Sequence, residues 1–317
     1  MTTTTAAILE IPMPSESHVA DELARLVSGA TLIRRDEPLA KRTTLRVGGP
    51  ADLYVEPASE ADLALVLQFS AGHGLKFFVL GRGSNLLVRD GGFRGVVICL
   101  AQPAFSRIEI AGEQLTCGAG AKLKNIAVDA KRNGVAGLEF LEGIPGSVGG
   151  ALRMNAGAMS GATFDIVESV RVMDFSGAVR ELTPPQMVVE YRSCSTLSSH
   201  IALGAVFHGR PDAREAIEQR MNEYSKKRWA AQPAKPSAGC SFKNPAACPA
   251  GRLIDELGLK GTRVGGAVVS AEHGNFIVND GTATARDVLQ LMEILKRRVK
   301  TERGIELHTE VEIIGVD

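Results

Sequence analysis

The run Gly239-Cys240-Ser241-Phe242-Lys243-Asn244-Pro245 sets a thiol, a hydroxyl, an aromatic ring, a cation and a primary amide side by side. Prolines at 233, 236 and 249 and glycines at 239 and 251 confine it to a loop or short strand. Cys240 and Ser241 are both able to give up a proton. A thiol, with a pKa of about 8.5, does so more readily than an alcohol. If the run is extended, the two side chains point to opposite sides, so only one of them can face a bound ligand. Farther off in the chain stand Arg192, in Tyr191-Arg192-Ser193, and Glu310, which alternates with Val311 and Ile313. Each has an ordinary reading as a solvated surface charge. His273 and Asn275, in Glu272-His273-Gly274-Asn275-Phe276, are open to a substrate role or a structural one. Lys226-Lys227-Arg228 is adequately explained by the negative end of a helix.

Two glycine-rich loops give the second kind of signal. One is Gly81-Arg82-Gly83-Ser84-Asn85-Leu86-Leu87; the other is Gly143-Ile144-Pro145-Gly146-Ser147-Val148-Gly149-Gly150, running on through Met154-Asn155-Ala156-Gly157. Glycine lets backbone N–H groups close around phosphate oxygens with no Cβ in the way. Neither loop ends in GK[ST], and neither has the GxGxxG spacing of a dinucleotide-binding βαβ unit. Either alone reads as a tight turn. Both together, each with Ser and Asn, point to a ligand with a pyrophosphate and a polar ring system.

These segments, with Thr43-Thr44-Leu45-Arg46-Val47-Gly48-Gly49 before them and Thr309-Glu310-Val311-Glu312-Ile313-Ile314-Gly315 after them, occur in an order that resembles the UDP-N-acetylenolpyruvoylglucosamine reductase family. The spacing after Arg192 resembles the shorter-looped type II branch. The resemblance implies a flavoenzyme of the vanillyl-alcohol-oxidase/PCMH class. It would use FAD and NADPH to reduce the enolpyruvyl ether of UDP-N-acetylglucosamine to UDP-N-acetylmuramate for peptidoglycan. It carries over Arg192, Cys240 and Glu310 as catalytic residues. For the cofactor it carries over Gly81, Arg82, Gly83, Ser84, Asn85, Leu86, Gly143, Pro145, Gly146, Ser147, Gly149, Gly150, Asn155, Ala156 and Gly157. For the substrate it carries over Tyr191, Lys243, Asn244, His273 and Asn275. The family pattern commonly has serine directly after the glycine, where this chain has Cys240; by register Cys240 is the expected proton donor, with Ser241 or a water as the alternative. Another flavoenzyme of the same fold, or a flavin-binding relic, would lack part of this set.

The elements that must position these residues read as an α+β protein. Helices are expected over His18 to Ser28, from Ser59, over Lys122 to Arg132, from Asp212 to near Trp229, over Arg252 to Leu257 and from Thr284, where Asp287 completes a capping pattern. Short strands are expected at 51–55, 76–80, 95–100, 107–110, 114–117, 166–175, 179–182, 201–207, 267–269 and 276–279, with a final strand over Glu306 to Ile314. The expected division is a tail and helix over 1–38, a PCMH-type FAD-binding domain in two lobes over 39–209, and a C-terminal α/β substrate-binding lobe over 210–317. The first 17 residues, rich in Thr, Ser and Pro, are expected to be poorly ordered.

Composition bounds the rest. Lys plus Arg and Asp plus Glu are 36 each in 317 residues, so no global field recruits nucleic acid or an anionic membrane. Five cysteines with no metal-like spacing fit a reducing compartment and no metal site. With neither a signal peptide nor a long apolar run, the expectation is a cytoplasmic monomer whose partners are small molecules.

Overall fold

A computed structural model describes residues 16–317. The first lobe contains α1 (Glu16–Leu26), β1 (Leu32–Pro38), β2 (Pro50–Glu56), α2 (Glu60–Gly72), β3 (Phe77–Leu80), β4 (Leu86–Val88) and β5 (Phe93–Cys99). Its four-stranded sheet has the order β1-β2-β5-β3, with β2, β5 and β3 parallel. Ser59 caps α2 by accepting from the Asp62 N–H at 3.1 Å. The Asp62 carboxylate turns back to accept from the Ser28 N–H and hydroxyl and from Thr31, pinning the turn between α1 and β1. Val19 and Leu23 of α1 and Leu63, Val66 and Leu67 of α2 share one core with Leu53, Val55, Val96 and Ile98.

The second lobe holds β6 (Ile108–Ala111), β7 (Gln114–Gly118), α3 (Leu123–Arg132), α4 (Val148–Arg153), β8 (Val167–Asp174), β9 (Val179–Leu182), β10 (His200–His208) and α5 (Arg214–Ala231). Its five strands form an antiparallel sheet in the order β9-β8-β10-β7-β6. Leu123, Ile126, Val148 and Leu152 pack against Leu115, Val170 and Phe207. The third lobe contains β11 (Ser237–Cys240), α6 (Ala250–Glu256), β12 (Arg263–Val264), β13 (Ala267–Val269), β14 (Phe276–Asn279), α7 (Ala285–Arg303) and β15 (Glu312–Ile314). Its sheet runs β11-β14-β13-β12, and α7 lays Val288, Leu291, Met292 and Leu295 onto Ala267, Val269 and Ile277. Thr284 and Asp287 form the expected capping box, and Gly304 closes α7 in the left-handed conformation.

Four expectations change. The strand drawn over Glu306 to Ile314 is regular only at Glu312–Ile314, which lies parallel to β4 of the first lobe. The second glycine-rich loop becomes helical at Val148–Arg153, because Val148 and Leu152 find a buried face despite two glycines. The boundaries at 39 and 210 cut through packed structure. Strand β1 pairs along its length with β2, and Ile217 and Met221 of α5 lie in the core of the second lobe. The chain leaves that lobe only after α5. The expected disorder of the tail concerns residues that, up to 15, lie outside the described ones.

Candidate active site

The three lobes meet around a cleft of about 1820 Å³ lined from all of them. Gly81 to Leu86 line it from the first lobe, Gly143, Pro145, Gly146, Ser147, Gly149, Gly150, Ala156 and Gly157 from the second, and Cys240 and Glu310 from the third. Arg192 enters from the turn of a hairpin made by Val189–Glu190 and Ser193–Cys194.

The glycine loops touch each other. A Cβ on Gly81 would lie 2.9 Å from the Ser147 hydroxyl, and Ser147 is buried and bridged to Lys122. Gly83, at φ +60, has no room either, since a Cβ there would sit 2.5 Å from the Arg42 carbonyl oxygen. Gly143 and Gly150 are different. A Cβ on Gly143 would meet nothing within 4 Å, and one on Gly150 only the Ser147 hydroxyl at 3.8 Å. Both therefore border open space where a ligand backbone can approach closely.

Charge is distributed unevenly. Lys41, Arg46, Arg82, Lys122, Arg153 and Lys235 all line the cleft, and among the described residues none of them forms an ion pair. A chain with no net charge thus presents a cationic cleft. Sequence reasoning missed most of these cations, because they come from unrelated segments with no shared pattern. It also missed Trp229, the single tryptophan, which is 63% exposed at the cleft.

Arg192 adopts φ +57, a left-handed conformation uncommon outside glycine. Asn155 steadies its hairpin, donating from Nδ2 to the Glu190 carbonyl at 3.2 Å while its Oδ1 accepts from the Phe164 N–H. Gly157 has no room for a Cβ, which would lie 2.6 Å from the Gly161 carbonyl oxygen and 3.3 Å from Arg192 Nη1. Arg192 Nε then donates to Glu310 Oε1 at 3.0 Å. Burial raises the Glu310 pKa, opposed by Arg192 and Lys243. Burial likewise pushes the Cys240 thiol up to about 12, with the Glu310 charge adding to the shift and Arg192 and a hydrogen bond to Asn275 opposing it. Arginine, thiol and carboxyl thus act on one another electrostatically.

Other expected site residues fall elsewhere. Asn275 is 2% exposed and does not line the cleft; its Oδ1 accepts from the Phe242 N–H at 2.9 Å and its Nδ2 donates to the Phe242 carbonyl at 2.7 Å. His273 accepts from the Asn275 N–H at 3.1 Å and packs on Phe276, and burial lowers its pKa. Asn244 accepts from the Ala250 N–H at the start of α6. These three, and Asn155, each bond to main chain, and Asn275 bonds in addition to Cys240. Tyr191 is 59% exposed with Arg192 over its ring, and Lys243 is exposed; neither lines the cleft. Ser241 is buried, away from the cleft, and its N–H donates to the Asn275 carbonyl.

A partly parallel lobe and an antiparallel lobe closing glycine-rich loops over a cationic cleft define an FAD-binding fold of the PCMH type. Consistent with this, a family model described as an FAD binding domain matches residues 51–183. A second, described as the C-terminal domain of UDP-N-acetylenolpyruvoylglucosamine reductase, matches residues 232–314. The chain is 39% identical to the reductase of that name from Clostridium tetani, over 95% of this chain and 99% of that one. It is 46% identical to the one from Methylorubrum extorquens, over 89% and 91%. The crystal structure of the Thermus caldophilus reductase superposes with a TM-score of 0.78 at 40% identity, covering 89% of this chain and 98% of that one. The chain belongs to the UDP-N-acetylenolpyruvoylglucosamine reductase family. It is an FAD flavoprotein of peptidoglycan precursor synthesis.

Proposed function

We propose that the cleft reduces the enolpyruvyl ether of UDP-N-acetylglucosamine to UDP-N-acetylmuramate with NADPH as the electron source, and that Cys240 is the proton donor. The observation carrying the reading is the meeting of Arg192, Glu310 and Cys240 in the cleft that both glycine loops line. The residues fit FAD: Gly143 and Gly150 leave space, unpaired cations suit its pyrophosphate, and the volume exceeds the several hundred Å³ typical of one small ligand. Gly81 to Leu86 and Gly143 to Gly157 would hold it. FAD held there would supply the redox chemistry that links NADPH to reduction of the enolpyruvyl alkene.

The chain's own residues handle the charge that results. As the alkene is reduced, negative charge appears on the carbon next to the substrate carboxylate and spreads into that carboxylate. Arg192 is a fixed cation beside it and acts most strongly where charge develops. Glu310, whose pKa burial raises, is bonded to Arg192 and would help hold the enediolate from beside it. Cys240 Sγ–H then gives its proton to that carbon, within hydrogen-bonding reach. Burial keeps the thiol protonated at neutral pH, which a donor requires. Ser241 is the weaker candidate because it is buried behind the donor strand.

Tyr191 and Lys243 stand outside the cleft lining, where the uridine diphosphate part of the substrate could reach them. The same reading takes the cofactor unit to the end of α5 and the substrate unit from residue 232, in a cytoplasmic monomer. No described helix is long and apolar enough to cross a membrane. Two anaerobic half-reactions test the function: NADPH should bleach the flavin, and the enolpyruvyl substrate should restore its colour. Bleaching without recovery would point to a different electron acceptor.

A further inference from the structure

The segment from His308 to Val316 is stitched to two lobes in turn, and it changes partner at Glu310. Before that residue it bonds to the donor strand. The Lys243 N–H donates to the His308 carbonyl at 2.9 Å, Thr309 bridges Phe242, and the Glu310 N–H donates to the Ser241 carbonyl at 2.9 Å. After it, the segment bonds to the cofactor lobe. The Glu312 N–H donates to the Asn85 carbonyl at 3.0 Å, β15 pairs with β4, and Val316 exchanges hydrogen bonds with Gly91 and Gly92. Between these two sets lies the Glu310 carbonyl, and Asn85 Nδ2 donates to it at 3.1 Å.

We propose that Asn85 is a positioning residue for Glu310: its side-chain amide adds one rung beyond the β4–β15 ladder and fixes the main chain from which the carboxylate projects. The inference rests on the role given to Glu310 above. It makes the loop Gly81 to Leu86 serve two purposes, bordering the cofactor and setting the carboxylate that meets Arg192. The need is physical. At Glu310 the segment leaves one lobe for another, so the ladder is broken there, and a carboxylate on an unfixed backbone would wander. Misplacement of about 1 Å can cost on the order of 100-fold in rate. Two contacts show how closely the segment is applied. Gly315, at φ +91, could not carry a Cβ, which would lie 2.5 Å from the Gly92 carbonyl oxygen. Arg89 closes the far end on Asp317 at 2.6 Å.

The test uses holoenzyme variants Asn85→Ala, Gly315→Ala, Glu310→Gln and the double variant Asn85→Ala/Glu310→Gln, each measured in both anaerobic half-reactions. Because Asn85 also borders the cofactor, FAD affinity of Asn85→Ala is titrated separately and both half-reactions are read at saturating FAD, where substrate-driven recovery should slow roughly 10- to 100-fold more than NADPH bleaching does. Gly315→Ala, which does not line the cleft, should show the same one-sided defect. In the Glu310→Gln background, Asn85→Ala should add less than about 2-fold, because residues acting through one group are not additive. Loss of FAD with both half-reactions equally impaired would make Asn85 a cofactor ligand only and overturn the proposal. So would multiplicative effects in the double variant, or wild-type recovery in both Asn85→Ala and Gly315→Ala. If Glu310→Gln itself recovers at the wild-type rate, the role of Glu310 falls and this inference with it. A normal Glu310→Gln defect beside unimpaired Asn85→Ala and Gly315→Ala sinks the inference alone.

Discussion

Along the wall formed by Gly81 to Leu86 and Gly143 to Gly150, recognition is left to backbone and empty space. Along the wall formed by Arg192, Cys240 and Glu310 the proposed recognition rests on partly buried ionisable groups. The first wall works by what its residues lack, since Gly143 and Gly150 face room that any side chain would fill. The second works by what burial does to ionisable groups, raising the pKa of a carboxyl and of a thiol beside a guanidinium. The difference teaches that the two walls should fail differently. Damage to the first should show as lost cofactor, and damage to the second as a holoenzyme that accepts electrons but cannot deliver them.

The sharpest way to break this contrast is Cys240→Ala. Removing a general acid costs about 10²- to 10⁴-fold in the step it serves. Substrate-driven recovery of flavin colour should fall by that much while NADPH bleaching stays near wild type; Cys240→Ser should restore much of the loss. Equal damage to both half-reactions would abolish the distinction between the walls. Next in size is Gly150→Val. Its side chain would enter the cleft and meet little protein, so FAD affinity should drop by about 10- to 100-fold with little change in apoprotein melting temperature, as read by flavin fluorescence titration and thermal unfolding. Gly83→Ala sharpens the same point, because its Cβ would strike the Arg42 carbonyl and should lower the melting temperature as well.

Asn275→Ala probes a residue that does not line the cleft but stands behind the charged wall, its side chain bonded to Cys240. Its amide makes two buried hydrogen bonds to the Phe242 main chain. Losing them leaves buried donors and acceptors unmet, which costs about 1–3 kcal/mol. Denaturant unfolding should show that loss, with KM for the enolpyruvyl substrate changed less than about 3-fold. A large KM effect at unchanged stability would return Asn275 to the substrate.

That case marks where sequence reading ran out. Local rules were enough for α2 and α7, where Ser59 and Thr284 cap in the way their spacing predicts. The motifs of Arg192, Cys240 and Glu310 bring these three to one cleft, whereas Asn155, Asn244, His273 and Asn275 bond to main chain. A polar side chain next to a motif can serve a ligand or the backbone, and only the fold decides which. Lys122 and Arg153 were missed for the opposite reason, being ordinary cations until three lobes bring them to one cleft. The β4–β15 pairing was invisible because the two strands lie at opposite ends of the chain.

The smallest effect concerns pH, and it isolates the thiol of the charged wall. Burial raises the Cys240 pKa above its ordinary value, to about 12, so the thiol keeps its proton through the whole neutral and mildly alkaline range. Activity that depends on that proton should therefore not fall between about pH 7 and pH 9, where an ordinary thiol of pKa about 8.5 would already be losing it. Stability follows the same sign. A raised folded-state pKa contributes nothing to lose at neutral pH and destabilises the fold only above the unfolded value, as the unfolded thiol ionises first. Measured as the rate of substrate-driven recovery, the wild-type profile should be level across this window. Alkylation of Cys240, read by peptide mass, should stay slow between about pH 7 and pH 9 even though the residue is partly exposed. An alkaline limb near pH 8.5 that vanished in Cys240→Ser would mean the thiol is solvated, and the charged wall would lose the burial on which its half of the comparison depends.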